Sequence, residues 1–146
     1  FVSQNIGAGE YERAKKGAAV GTISSMILAE LVGILYFMWA PYAMRIFVNA
    51  PEAIEFGVIH CRTTALFFFL LAFSHCAAGV MRGCGKSFMP MAAMLAFWCG
   101  VRILYVSIAI QIVPVFQTIS WAYPLTWFLS SVAFFVSLVR MDWKKL

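Results

Sequence analysis

Arg82-Gly83-Cys84-Gly85-Lys86-Ser87, with Pro90 just beyond it, decides how this chain folds. These six residues are basic and glycine-rich, and an apolar run lies on each side of them. Residues 59–81 carry no acid and one arginine, near the start of the run; residues 88–112 carry a single charge, Arg102. Each run has about the twenty residues an α-helix needs to cross ~30 Å of hydrocarbon. So tight a turn joins two such helices only as an antiparallel hairpin, with the turn at one face of the bilayer. Gly83 and Gly85 are expected to supply positive φ there. Pro90 suits the first turn of the next helix, where its missing N–H costs nothing.

Composition agrees with that reading. The chain is 63% hydrophobic and 12% charged, with a mean hydropathy of +0.87. A soluble domain has roughly a quarter of its residues charged, and a chain this short has too little interior to hide so much apolar surface. The fold class is therefore an all-α membrane protein. Its four transmembrane helices are expected at about 18–40, 59–81, 88–112 and 120–139. The net charge of +5 does not point to nucleic acid, because the basic residues bracket the apolar runs and form no patch. Cys61, Cys76, Cys84 and Cys99 form no C-x-x-C pair and read as small core residues. The chain starts at Phe1 without a signal-peptide pattern, which suggests a fragment.

Outward from the glycine turn, residues 1–9 read as the tail of an earlier helix stopped by Gly7 and Gly9. Residues 10–16 read as a charged interfacial segment, with Glu12 three and four positions ahead of Lys15 and Lys16. In the first span, Gly17, Gly21, Ser25, Ala29 and Gly33 recur every fourth position, a stripe on which a neighbouring helix can pack closely. Residues 41–55 read as a polar connection bounded by Pro41 and Pro51. Trp121, Tyr123 and Trp127 open the last span as an interfacial aromatic belt, with Pro124 in its first turn. Eight of the eleven basic residues fall on one side: Arg13, Lys15, Lys16, Arg82, Lys86, Arg140, Lys144 and Lys145. The positive-inside rule makes the glycine turn and both ends cytoplasmic.

Few polar groups sit inside the runs. Glu30 is the one acid there, and an intramembrane carboxylate must be paired, protonated or functional. Glu30 and Arg102 are expected at similar depth, and a direct or water-bridged pair would relieve both charges. His75 is a candidate for a proton path. His60 and His75 lie ~22 Å apart along one helix, too far to share a metal. Gly85-Lys86-Ser87 imitates a phosphate-binding loop, but the required earlier glycine is Val80, and a membrane helix, not a strand, precedes it. No nucleophile–base arrangement, carboxylate pair or metal cluster is visible, so the chain reads as no enzyme and as needing no cofactor.

Gln4-Asn5-Ile6-Gly7-Ala8-Gly9-Glu10 resembles a cytoplasmic loop of the multidrug and toxic compound extrusion (MATE) transporters. Arg82-Gly83-Cys84-Gly85 with Pro90 resembles a second such loop, and Trp98 and Arg102 are similar to a pair on the helix after it. The order and spacing of these pieces extend the resemblance over nearly the whole chain. It implies a single membrane-domain fragment, residues 1–146, holding the last helices of a twelve-helix transporter, in the second of two six-helix halves. It further implies an antiporter of the cell membrane that exports small organic, often cationic, compounds in exchange for Na⁺ or H⁺. The partners implied are those substrates, membrane lipid and the remaining N-terminal helices. Glu30, His75 and Arg102 are then candidates for the substrate or ion path. Gln4, Asn5, Gly7, Gly9, Arg82, Gly83, Gly85, Pro90 and Trp98 are structural. Some branches of the family have a cation-binding aspartate on the helix matching 59–81, and here no acid lies in it. A lipid-linked precursor flippase and a non-transporting membrane subunit are the alternatives.

Overall fold

The computed structural model describes residues 1–143. Lys144 and Lys145 of the basic tail lie outside the described residues. Among these the chain is helical without strands: α1 (Val2–Gly7), α2 (Tyr11–Phe47), α3 (Pro51–Ala65), α4 (Phe68–Gly83), α5 (Phe88–Ile112) and α6 (Phe116–Val139). Three helices, α2, α5 and α6, are long and apolar enough to cross a membrane, and α3 with α4 makes a fourth crossing bent by 59° at a short break. The protein is thus an all-α membrane protein.

The element bounds differ from the sequence reading in three places. At 37 residues, α2 is about 55 Å long, so it outruns the hydrocarbon at its ends. The charged stretch after Glu10 is its first turns, and Pro41 lies inside it rather than ending it. One proline forfeits one backbone bond, and packing against α3 compensates: the Met44 side chain fills the space beside Gly57 and lies 3.8 Å from Cys61 Sγ. The connection shrinks to residues 48–50, and Pro51 starts α3 at a position that needs no N–H. The second difference is the break at Leu66 and Phe67, where one unbroken helix was expected. Thr64 Oγ1 bonds back to the carbonyls of His60 (2.9 Å) and Cys61 (3.3 Å), and the Phe67 N–H turns to Thr64 O (3.0 Å). Both draw carbonyls away from regular helical pairing. Third, α6 starts at Phe116, which places Pro124 inside the helix and buried, beyond the first turn.

Small residues bring α4 and α6 together. Ala77, Ala78, Met81 and Phe134 form the core cluster, with Phe73, Met89 and Leu138 packed on it. Ile27, Leu31, Ile103, Ile108 and Phe135 remain exposed on the outer faces, an apolar surface suited to lipid or further helices.

The two glycine motifs are one device used twice. Lys86 N–H bonds Met81 O (2.9 Å) and Gly85 N–H bonds Arg82 O (3.0 Å), with Gly85 at φ 77°. Glu10 N–H bonds Asn5 O (2.8 Å) and Gly9 N–H bonds Ile6 O (2.9 Å), with Gly9 at φ 75°. Both are Schellman caps, in which a left-handed glycine lets the chain reverse onto the last carbonyls. Gly83, expected to share the positive φ, is instead the last helical residue of α4. A Cβ there would lie 3.2 Å from Val2 Cβ, so Gly83 seats α1 against the end of α4.

Candidate intramembrane polar site

At the break between α3 and α4, α2 lies close against the second span. A Cβ on Gly33 would run into the Ala65 carbonyl, so glycine lets the α2 backbone lie directly on the open end of α3. One turn earlier, Glu30 reaches the open start of α4, where its Oε2 accepts the Phe69 N–H at 3.2 Å. The first amides of a helix have no partner within it, and the helix dipole favours a carboxylate there. Buried in hydrocarbon, such an amide needs a protein acceptor. Glu30 is thus a side-chain cap supplied by a neighbouring helix at a break inside the membrane.

The expected pairing of Glu30 with Arg102 is not formed directly. Among the described residues Arg102 has other partners: its Nη2 donates to Thr126 Oγ1 at 2.7 Å, and the guanidinium carbon sits 4.2 Å from the centre of the Tyr123 ring. The physical reason is a row of rings between the two charges. Tyr123 meets Trp127 (6.1 Å between centres), Trp127 meets Phe68 (6.2 Å), and Phe68 stacks on Tyr36 of α2 (6.0 Å). Arg102 is held by cation–π attraction at one end, while Glu30 bonds the residue next to Phe68 at the other. Arg102 Nε is buried without a hydrogen bond.

Hydroxyls on α6 make further polar contacts. Ser74 Oγ lies 3.0 Å from both Ser130 Oγ and Ser131 Oγ, and Trp98 Nε1 donates to Ser130 Oγ at 3.1 Å. Ser131 Oγ donates to Leu70 O at 3.1 Å, and His60 Nδ1 lies 3.2 Å from Ser120 Oγ. Trp98–Ser130 and Arg102–Thr126 share one antiparallel register, four residues along each helix. Trp98 lies within Leu95–Val101, a stretch of α5 wound as a π-helix, and Arg102 directly follows it.

Of the residues singled out from sequence, Glu30 and Arg102 are partly buried; Glu30 bonds the residue next to Phe68 and Arg102 sits against Tyr123, at the two ends of the ring row. His75 is exposed, with its ring edge 5.1 Å from Trp98. Pro90 is buried at the start of α5. Gln4 and Arg82 are exposed, and Asn5 Nδ2 donates to Phe1 O at 2.7 Å. Of the four cysteines only Cys61 is buried, near Tyr36 Oη (2.9 Å), while Cys99 is exposed, so they do not form a common core. In the glycine turn, burial pushes the Cys84 thiol pKa up and the nearby Lys86 charge pulls it partly back. The sequence reading passed over Tyr123, Thr126, Ser74, Ser130 and Ser131 as partners. Their signal was present, since 126 and 130 are one turn apart inside an apolar run.

Clefts open elsewhere between the helices. One of about 540 Å³ between α1, α2 and α4 is lined by Gly17, Gly21, Ser25, Cys76 and Gly79. A second of about 380 Å³ is lined by Arg62, Phe67, Gln117 and Trp121. Neither includes Glu30, His75 or Arg102.

Fold and site together define a multi-pass helical membrane protein with one broken span and a polar interior supplied by side chains of facing helices. The MatE family profile matches residues 1–108, and the chain belongs to that family. It is similar to a probable multidrug resistance protein NorM of Thermotoga maritima, 29% identical over 99 residues, covering 67% of this chain and 21% of the relative. The chain thus spans about a fifth of that relative's length. No solved structure gives a significant match.

Proposed function

We propose that this chain is the C-terminal part of a MATE-type secondary antiporter, a transporter and not an enzyme, which exports organic, often cationic, compounds in exchange for Na⁺ or H⁺. The observation that carries this reading is the broken second span with the one acid of the apolar runs bound at its break, inside a MatE-family chain. Broken helices with exposed ends and a charged partner at membrane depth are how secondary transporters build ion and substrate sites. The ring row of Tyr123, Trp127 and Phe68 offers π faces to an organic cation. Arg102 stands alone among these rings, whereas a flippase for a lipid-linked anion calls for several basic side chains in the cavity. In this reading the chain sits in the cell membrane, with the glycine turn and both ends cytoplasmic, and works with helices that precede it. The name of the Thermotoga maritima relative, probable multidrug resistance protein, points to the same substrate class.

The test is ethidium efflux by the longer transporter in cells lacking other pumps, under separate Na⁺ and H⁺ gradients. Efflux driven by either gradient is the expected result. No gradient-driven efflux of any organic cation, with the protein in the membrane, overturns the antiport reading.

A further inference from the structure

The seam between α2 and α4 has two unlike sides, and Ala18, Thr22 and Val80 line the clefts on both. On the side of α1 the two helices present small residues, Gly17, Gly21, Ser25 and Gly79, a surface that another helix can approach closely. On the side of α6 lies a groove of about 500 Å³, walled by Ile23 and Met26 of α2, Phe73 of α4, and Phe135 and Leu138 of α6. Ile23 and Phe135 are more than half exposed, so the groove opens outward, where hydrocarbon surrounds the protein. Large side chains hold a second helix backbone away from such a wall. A flexible acyl chain follows it and restores the contacts that a void forfeits.

One end of the groove is basic. Lys15, Met141 and Trp143 line it there, and Arg140 stands in the chain between Val139 and Met141. Met26 and Phe73 lie at the far end. Lys15 and Met26 are eleven residues apart, or ~16 Å along α2, close to the ~15 Å of hydrocarbon in one leaflet. A lysine at such a mouth lays its methylenes on the apolar wall and lifts its ammonium to the interface, and a tryptophan beside it sits at headgroup level. Glu12 lies outside the groove, and Asp142 has a partner of its own.

We propose that this groove binds an anionic phospholipid: one acyl chain lies between α2 and α6 against Phe73, and Lys15 holds the headgroup phosphate. Basic pockets between membrane helices at the cytoplasmic face suit such headgroups. The site does not depend on the antiport reading; only the leaflet that supplies the lipid, the cytoplasmic one, rests on the orientation proposed for the chain. α2 and α6 each pack on α4, so a lipid chain between them splints two helices across a gap.

The test uses the longer transporter. In nanodiscs of phosphatidylcholine with a minor fraction of phosphatidylglycerol carrying a diazirine on its acyl chain, illumination is expected to mark the groove, Met26 and Phe73 included, as read by mass spectrometry of the digested protein. Label confined to the outer face of α5, or spread evenly over the apolar faces, overturns the site, and this needs no variant to fold. In detergent, native mass spectrometry is expected to show phosphatidylglycerol held about tenfold more tightly than phosphatidylcholine, the scale of one hydrogen bond to a charged group. Lys15→Ala should abolish that preference, whereas Lys16→Ala, which removes an exposed charge outside the groove, should keep it. Ala19→Trp, at an exposed position on the groove wall, should weaken the binding of both lipids by filling the space of the chain. Equal binding of the two lipids by the wild type, or equal loss in Lys15→Ala and Lys16→Ala, means attraction to a basic surface without a seated lipid and overturns the proposal. Undiminished binding by Ala19→Trp overturns it as well, because the chain then lies elsewhere. All these readouts are independent of efflux, so absence of gradient-driven ethidium export removes the antiport reading and leaves the lipid site standing.

Discussion

At Gly33 a single hydrogen separates a close helix contact from a collision. A Cβ would meet the Ala65 carbonyl, which belongs to a backbone that cannot step aside cheaply. Gly33→Ala is expected to lower stability by about 1–3 kcal/mol, the usual cost of forcing a methyl into a packed contact. Gly21, on the same stripe, has nothing within 4 Å of an added Cβ, so Gly21→Ala should be neutral or slightly stabilising. Thermal unfolding of both variants in one detergent checks the contrast; equal effects would mean that the stripe, and not the break, sets the packing. Thr126 is the second sensitive position. Thr126→Val keeps the shape but removes the acceptor of Arg102, so a loss of about 1.5–3 kcal/mol is expected, as for a hydrogen bond to a charged group. Thr126→Ser keeps the hydroxyl and should stay near the wild type.

At the scale of elements, the hairpin was legible because its signals are local. Runs of apolar residues, a glycine turn and a proline after it need no knowledge of the rest of the chain. The break at Leu66 and Phe67 was not legible, since no glycine or proline marks it; it depends on Thr64 turning back on its own helix and on α2 arriving with Glu30. The same holds for the partners of Glu30 and Arg102. Sequence depth places them at similar height, but the rings between them come from α4 and α6, and only the fold brings those into line. Pro41 misled for a related reason, because its lost bond is offset by packing against α3. The Schellman caps yield a prediction here. Gly85→Ala puts a side chain into the left-handed region and should cost about 1–2 kcal/mol, whereas Gly85→Asn should cost less, since asparagine also serves at this position. Urea or thermal unfolding of the three proteins gives the order.

For the molecule as a whole, the exposed apolar faces of α2 and α5 show how much surface this chain leaves to others. The 146 residues reconstituted alone are expected not to move ethidium under an ion gradient; transport by them would refute the need for further helices. Orientation can be read from Cys84. With Cys84 as the single cysteine, a membrane-impermeant maleimide should label inside-out vesicles and leave right-side-out vesicles unlabelled; the reverse pattern would invert the topology. Because burial holds the thiol above its ordinary range, labelling should speed up as pH rises. Lys86→Ala should slow it at any given pH by removing the charge that lowers the pKa. The π-helical stretch Leu95–Val101 bears on the whole molecule in another way. It lets α5 carry residues that a regular helix of the same length could not hold, so the angular phase of its two ends is set independently of its length. Deleting one residue there would rotate Arg102 by about 100° about the helix axis relative to Pro90, yet shorten the span hardly at all. The stretch is a screw adjustment, at which a lineage can re-aim the polar half of α5 while the glycine turn stays docked.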